Sequence, residues 1–471
     1  MGNHVAGNNE FTNGKRADWR PAWFGWLGAV LLLAAMSVSS ARGQDSPPPA
    51  PPQDSTNSTL PDRQLWNLHF QSTVGTQGYP SFPAAYTGAN SLTPGAQIKD
   101  TISVDVMGGV RLWRGGEFLG DVVIWQGYGL SNTLGMAGFP NGEAFRIGRT
   151  YPDASLCRAF IRETIGLGGG KEAAEDGPTE LGGTQDVRRL TFTAGHLSAK
   201  DIFDTNAYAN DSRSQFMNWA LMANDAWDYP ANTIGFTNGV VAELNTRAWT
   251  GRLGIFQVSK VANGLRMDWN LAHAWSAVAE AERRYSPGGH AGAIRLLAYD
   301  QRAHMGNYQE TLNHPSLGEN IELDAAYRYK YGFGINLEQE IRKNLGVFAR
   351  LGWSDGKNQT YEFTDVDRTA TGGVSLKGAR WRRPDDTVGL GVVVNGISAV
   401  HRQYLAAGGL GITIGDGGLD YAAERIVETY YSWKIAKHYQ LTGDYQFAPD
   451  PAYNHARGPV NLFALRFHTE F

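Results

Sequence analysis

The chain is poor in cysteine and, beyond its first 43 residues, in long apolar runs. Its 471 residues include one cysteine, Cys157, which excludes a disulfide framework and a zinc–thiolate site. After residue 43 no run approaches the roughly 20 apolar residues that a membrane-spanning helix needs, so a helical membrane protein is excluded. No basic stripe indicates a surface that binds nucleic acid.

The first 43 residues have the organisation of a secretory signal. Three basic residues precede an apolar run from Trp23 to Met36, and small residues follow it. This order is typical of a signal peptide, and we place its cleavage near Gly43. Residues 1–43 contain four of the 42 Lys and Arg and two of the 46 Asp and Glu, so the mature chain has 38 against 44 and a net charge of −6. A membrane anchor helix is the alternative, which the short apolar run disfavours.

Residues 44–64, QDSPPPAPPQDSTNSTLPDRQ, are rich in proline and serine. A segment of this composition buries too little apolar surface to fold, so we expect a disordered linker or tail. The remaining residues, 65–471, are then a single large domain.

Glycine and aromatic residues are abundant, with 58 glycines and 11% aromatics, and this composition favours strands and turns. The end of the chain, VNLFALRFHTEF, alternates with the period of two that indicates a strand. Phe463 and Leu465 lie on one face, and Arg466 and His468 lie on the other. The same alternation recurs at residues 66–71, 335–353, 388–394 and 431–447.

Such strands suit a water-soluble sandwich or a membrane barrel whose apolar face meets lipid. Three features favour the barrel: aromatic residues cluster at strand ends, short turns alternate with long polar loops, and the chain ends on Phe471 within a strand. An open sheet edge in lipid leaves backbone groups unpaired, so the sheet must close. The roughly 425 mature residues, at about 25 per strand and connection, predict about 16 strands around an aqueous channel, with 14 and 18 as the neighbouring even counts. We therefore predict an all-β, antiparallel transmembrane barrel.

Three short motifs imitate known sites but fail on their spacing. GWSDG, at 352–356, matches a hydrolase nucleophile string but ends a strand and enters a turn. GLGGGK, at 166–171, has the wrong spacing for a phosphate loop. DTNAYAND, at 204–211, lacks the central glycine of a calcium loop and the glutamate that closes it. We expect no catalytic residues, no metal and no cofactor.

Residues 201–230, DIFDTNAYANDSRSQFMNWALMANDAWDYP, interrupt the strand pattern. Asp211 is placed to cap a helix of about three turns over residues 212–224, and Pro230 follows as a stop signal. We therefore expect a short helical insert between two strands. In a wide barrel, a long loop of this kind folds inward and narrows the channel.

Residues 185–245, QDVRRLTFTAGHLSAKDIFDTNAYANDSRSQFMNWALMANDAWDYPANTIGFTNGVVAELN, closely resemble the signature region of the carbohydrate-selective porins, the OprB-type family. RAFIRETIGLGGG and ETYYSWKIAKHYQLTGDYQF are similar to the same family, and the resemblance spans about residues 62–471. It implies a 16-stranded barrel in the outer membrane of a Gram-negative-type bacterium. It also implies passive diffusion of glucose-like mono- and oligosaccharides, by a monomer or a homotrimer.

A sugar presents hydroxyl groups and a less polar C–H face, so charged, amide and aromatic side chains are expected to line the channel. Arginines are expected to face inward, because an arginine facing lipid at mid-membrane costs about 2–4 kcal/mol. The candidate sugar-contacting residues are Asp204, Asn206, Asp211, Arg213, Asn218, Trp227 and Asp228 in the insert, and Arg158, Arg162 and Arg189 on strands. The alternative for the insert residues is a structural role, in which they cap the helix or hold the insert in place.

Other functions stay open for a barrel of this kind. A general or anion-leaning diffusion porin shares the fold, and a structural or adhesive barrel has a plugged lumen. An outer-membrane hydrolase is disfavoured because the histidines are scattered. The expected partners are small carbohydrates and outer-membrane lipid, without nucleic acid.

Overall fold

The computed structural model describes residues 63–144, 148–314 and 320–471. The predicted signal peptide, residues 1–43, and most of the Pro/Ser-rich segment lie outside the described residues. Arg63 and Gln64, the last two residues of that segment, make backbone contacts with Gly183 and Gly182. The barrel itself begins at Trp66.

Sixteen strands of the described residues form one closed antiparallel barrel, which confirms the predicted fold. The described residues contain eighteen strands in all: β1 (Trp66–Tyr79), β2 (Gln97–Arg111), β3 (Gly116–Tyr128), β4 (Gly148–Gly166), β5 (Lys171–Ala174), β6 (Gly183–Asp186), β7 (Arg189–Leu197), β8 (Thr237–Asn245), β9 (Trp249–Phe256), β10 (Trp275–Tyr285), β11 (Gly292–Met305), β12 (Ala326–Arg342), β13 (Leu345–Ser354), β14 (Arg368–Gly378), β15 (Arg383–Gly396), β16 (Glu424–Ala436), β17 (Tyr439–Ala448) and β18 (Val460–Glu470). β5 and β6 pair with each other outside the barrel sheet. The barrel closes where β1 pairs with β18, and closure leaves no sheet edge unpaired.

The alternation of side chains gives the barrel an apolar outer face and a polar inner face. On β18, Phe463 and Leu465 are each 54% exposed, whereas Arg466 is 1% exposed. On β12, Phe333 is 54% exposed and Asn336 is 3% exposed. Apolar side chains facing outward and polar ones facing inward are the arrangement of a barrel that stands in lipid around a polar lumen.

The two ends of the barrel differ in their connections. At the end that we call the short-turn end, most connections have two to six residues, as at 343–344 and 286–291. The opposite, long-loop end carries the connections 80–96, 129–147, 198–236, 257–274, 306–325, 355–367, 397–423 and 449–459. Exposed aromatic residues lie near both ends, such as Trp249 at the first and Tyr329 at the second, as membrane interfaces favour.

Helices in the described residues are short: α1 (Trp219–Met222), α2 (Tyr308–Asn313) and α3 (Ala399–Ala406). All three belong to connections at the long-loop end. Across the described ranges, no helix has both the length and the apolar character needed to cross a membrane.

Candidate channel constriction

The connection between β7 and β8, residues 198–236, folds into the barrel; we call it the insert. Every residue from 216 to 233 is buried, although the segment lies between two strands rather than in a core of its own. Phe216 packs on Phe348 and Tyr430 of the barrel wall, with ring centroids 5.3 and 5.0 Å apart. Phe203 packs on Phe256, at 6.0 Å. The expectation that this loop turns inward is confirmed.

The three-turn helix expected over residues 212–224 is wrong. The insert contains the four-residue helix α1, whose N-cap is Asn218, with Oδ1 accepting from the N–H of Ala220 at 3.0 Å. Asp211 instead accepts from the N–H of Arg213 at 3.0 Å and from Ser214 Oγ at 2.6 Å, within a separate turn. The chain also leaves the helix at Met222, well before Pro230.

Side chains of the barrel wall explain why the helix is short. The carboxylate of Glu428 accepts from the N–H groups of Met217 and Asn218, at 2.5 and 2.9 Å. Arg466 donates to the carbonyl oxygens of Ser212 and Gln215. Because the wall satisfies these backbone groups, residues 212–218 do not need the hydrogen bonds of a helix.

Asp204 is the strongest anchor of the insert. Its Oδ1 lies 3.1 Å from Arg350 Nε of β13 and accepts from Asn336 Nδ2 of β12 at 2.7 Å. Arg350, which is fully buried, also donates to the carbonyl oxygens of Leu221 and Ala209, at 2.8 and 2.7 Å. One arginine of the wall therefore holds three separate points of the insert.

Asn206, Asn218, Trp227 and Asp228, four more predicted residues, also make structural contacts. Asn206 Nδ2 donates to Asn336 Oδ1 at 2.8 Å, and Asn218 Nδ2 donates to Gln446 Oε1 at 3.0 Å. Asp228 lies 3.1 Å from Lys330 Nζ. Trp227 is buried and packs at 5.5 Å from the Tyr229 ring. The three polar contacts hold the insert against the wall, and the Trp227 contact lies within the insert.

Arg213 and Arg158 lie at the inner surface between the insert and strands β2–β4. The Arg213 guanidinium is 2.9 Å from Asp105 Oδ2 of β2 and 2.9 Å from Glu143 Oε2 of the 129–147 connection. Arg158 of β4 is 2.5 Å from Asp121 Oδ2 of β3 and 2.6 Å from Asp201 Oδ2 of the insert. We call these six residues the charged girdle.

The girdle combines buried and accessible charge. The Arg158 and Asp201 side chains are 17% and 26% exposed, whereas Asp105 and Asp121 are about 2% exposed. Burial alone would lower the pKa of Arg213, but the carboxylates of Glu143 and Asp105 more than offset it and raise that pKa. The arginine therefore stays charged while fixed between two acids.

Lys200, next to the girdle, is deprotonated more easily than an ordinary lysine. Burial lowers its pKa to about 8, in spite of the neighbouring Asp204 carboxylate. Its Nζ donates to the Asp204 carbonyl at 3.0 Å and to Asn210 Oδ1 at 2.9 Å.

Arg162 and Arg189 lie on the inner wall nearer the short-turn end. Arg162 is 3.1 Å from Glu117 Oε1 of β3, and Arg189 is 2.5 Å from Glu172 Oε1 of β5. Their neighbours in sequence, such as Phe192, are exposed on the outer face. The wall thus carries arginine–carboxylate pairs at successive heights.

Asp204, the first residue of the calcium-like DTNAYAND segment, pairs with Arg350 of the wall. Within residues 63–144, 148–314 and 320–471, no group of His, Cys, Asp and Glu is arranged to hold a metal ion.

Comparison with known proteins places this geometry in a family. Residues 89–471 match the family described as "Carbohydrate-selective porin, OprB family". The chain belongs to the OprB family of carbohydrate-selective porins. Family and fold indicate an outer-membrane porin, a channel rather than an enzyme.

One solved porin structure has the same fold. This porin is similar to the high-pH structure of OprB from Pseudomonas putida, at 18% identity and a TM-score of 0.65, over 86% of this chain and 94% of that one. The outer membrane channel DcaP of Acinetobacter baumannii matches at 8% identity and a TM-score of 0.48, over 86% and 97% of the two chains. No curated protein matches the sequence.

Sequence reasoning named the arginines of this porin but missed their acidic partners. Asp105 and Asp121 are each the single acid of a mostly apolar stretch of a strand, ISVDVMGGV and FLGDVVIW. Their position in the period-two alternation marks them as inward-facing, which is the signal that could have found them. Glu143 and Asp201 lie in connections, where no such alternation exists.

Proposed function

We propose that this porin lets small carbohydrates diffuse passively across the outer membrane, with the charged girdle as its sugar-contacting constriction. The observation that carries the proposal is an inward-folded insert whose Asp201 pairs with Arg158 of β4, with both side chains partly exposed. A planar guanidinium and a carboxylate together offer donors and acceptors to neighbouring hydroxyl groups. Residues 1–43 act, in this proposal, as the cleaved signal that directs the chain to export.

The energetics suit transport rather than retention. Each net hydrogen bond to a sugar hydroxyl contributes about 1 kcal/mol. A dissociation constant near 1 mM corresponds to roughly −4 kcal/mol, which a few such bonds supply. A channel must bind its solute weakly enough to release it at the far side.

We assign the ten predicted residues to two roles. Arg158, Arg162, Arg189, Arg213 and Asp211 are proposed to meet the sugar, because they lie at the edge of the insert or on the inner wall. Asp204, Asn206, Asn218, Trp227 and Asp228 are proposed to fix the insert through their buried contacts with the wall.

Reconstitution of the purified porin in planar bilayers tests this proposal. We expect ohmic conductance that falls as glucose or maltose is added, because a sugar in the constriction displaces ions. Conductance that no sugar reduces would support a general porin. A membrane without conductance after insertion would support a plugged structural barrel.

A further inference from the structure

The connection between β4 and β7, residues 167–188, is long although it lies at the short-turn end. It begins with Gly168, Gly169 and Gly170, whose φ values of 79°, 85° and 99° favour glycine. These residues turn the chain away from β4 and into the β5–β6 hairpin, which pairs in register from Lys171↔Asp186 to Ala174↔Gly183. The GLGGGK motif is therefore a structural turn, and residues 175–182 form the hairpin tip.

The tip lies inside the barrel mouth. Asn67, on the inner face of β1, has its Nδ2 2.8 Å from Asp176 Oδ1 and 3.0 Å from the Gly177 carbonyl. Arg162, on the inner face of β4, donates to the Thr179 carbonyl at 2.8 Å. Leu181 is 2% exposed. Side chains that point into the lumen thus hold the tip from two sides.

The tip is also fixed within itself. Gly177 and Glu180 exchange backbone hydrogen bonds of 3.0 and 3.2 Å across a tight turn. Gln64, just before β1, pairs with Gly182 through its backbone N–H at 3.0 Å and its side-chain Oε1 at 2.6 Å. A loop with these restraints keeps one position across the mouth.

Glu180 presents the tip's charge to the lumen. It is exposed, yet it interacts electrostatically with Arg162, Glu117, Arg189 and Glu243. These four residues belong to β4, β3, β7 and β8, which are neighbours in the barrel. Residues 175–182 contain three acids and no Lys or Arg, so the tip is negatively charged.

The tip and the girdle lie one below the other along the same strands. Arg158 pairs with Asp121, and four residues further along β4, Arg162 pairs with Glu117. Four residues of a strand span about 13 Å. A solute that passes the girdle therefore meets the tip next.

We propose that the hairpin tip is a second constriction, in series with the girdle, in which Glu180 favours neutral and cationic solutes over anionic ones such as sugar acids. This inference rests on the proposed open channel. The tip screens solutes by charge at the short-turn end, whereas the girdle contacts sugar hydroxyls.

Bilayer recordings of Glu180→Gln and of a variant whose residues 175–182 are replaced by Asn-Gly test the inference. Glu180→Gln is expected to lower the cation-to-anion permeability ratio about twofold, as for one unit charge at roughly 8 Å from the ion path in water and screened by about 0.15 M salt. The tip replacement is expected to lower this ratio as well and to raise the conductance. Glu163→Gln is the matched control, because Glu163 lies at the same end of β4 but bonds Trp113 on the outer side; its ratio stays at the wild-type value. If both tip variants keep the wild-type conductance and the wild-type cation-to-anion permeability ratio, the inference is overturned while the channel function stands. An absence of wild-type conductance would instead overturn the proposed function.

Chemical labelling gives a second readout. Cys157, the single cysteine of the chain, is buried, so a thiol introduced by Glu180→Cys reacts selectively with a charged methanethiosulfonate reagent. We expect the reagent, added from the short-turn side, to reduce the current. Unchanged current after mass spectrometry has shown complete labelling would place Glu180 outside the ion path and contradict the inference.

Discussion

Arg213 shows how a single residue of the girdle combines charge with fixed position. Its guanidinium lies between Asp105 and Glu143, 2.9 Å from each carboxylate, and its fork of donors cannot be reproduced by lysine. Removing it leaves two neighbouring carboxylates at the constriction without their shared cation.

We predict that Arg213→Gln weakens the block by glucose and raises the cation preference of the channel. The sugar loses a charged donor, and the girdle gains net negative charge. Current block in planar bilayers measures the first effect, and the reversal potential in a salt gradient measures the second. Arg382→Gln, in the exposed turn between β14 and β15, is the matched control for the loss of one positive charge. If glucose blocks the Arg213→Gln channel as strongly as the wild type, and the reversal potential is also unchanged, Arg213 has only a structural role.

Lys200 adds a dependence on pH. Because burial lowers its pKa to about 8, the side chain is mostly charged at pH 7 and mostly neutral at pH 9. The loss of one positive charge beside the girdle is predicted to raise the cation preference over this interval. Lys200→Met should show at pH 7 the cation preference that the wild type shows at pH 9, and should lose the change between the two. A wild-type reversal potential that is constant from pH 7 to 9 would count against this role.

The insert is the element whose position was predictable and whose internal structure was not. Its length and composition predicted a segment folded between strands. The spacing of apolar residues over 212–224 predicted a helix, but the barrel wall packs against the insert, and residues 216–224 are all buried whether they are apolar or polar. The wall residues that bind the insert lie on strands more than 100 residues away in sequence: Glu428, Arg466 and Arg350. The sequence of the insert alone therefore could not predict these contacts.

Replacing residues 204–228 with a short Gly–Ser linker is predicted to raise single-channel conductance and to abolish sugar block. The barrel should still close, because its strands pair with each other around the whole sheet and the insert contributes no strand to it. Arg350 and Lys330 lose their partners in this variant, but water that enters the lumen hydrates them. Heat-dependent migration in gel electrophoresis reports whether the barrel has folded. A folded variant with wild-type conductance would show that the insert does not restrict the channel.

At the scale of the whole molecule, the barrel was predictable because lipid imposes a simple rule on every strand. Leu465 faces outward and Arg466 faces inward. The same alternation holds on the other strands, so it can be recognised in each strand without knowing which strand pairs with it. The alternation did not reveal the β5–β6 hairpin, because a strand of four residues is too short to show a repeated pattern. Its tip sequence DGPT did contain a turn signal, but only the closed barrel shows that the turn points into the lumen.

We propose that the barrel is an open channel in which sugar occupies a constriction. The decisive experiment records the conductance of the purified porin in a planar bilayer while glucose is added. We predict ohmic steps whose amplitude falls with glucose concentration and is half-reduced in the millimolar range, the affinity expected from a few hydrogen bonds. Steps that no sugar reduces, at any concentration up to those that change bulk conductivity, would contradict the account.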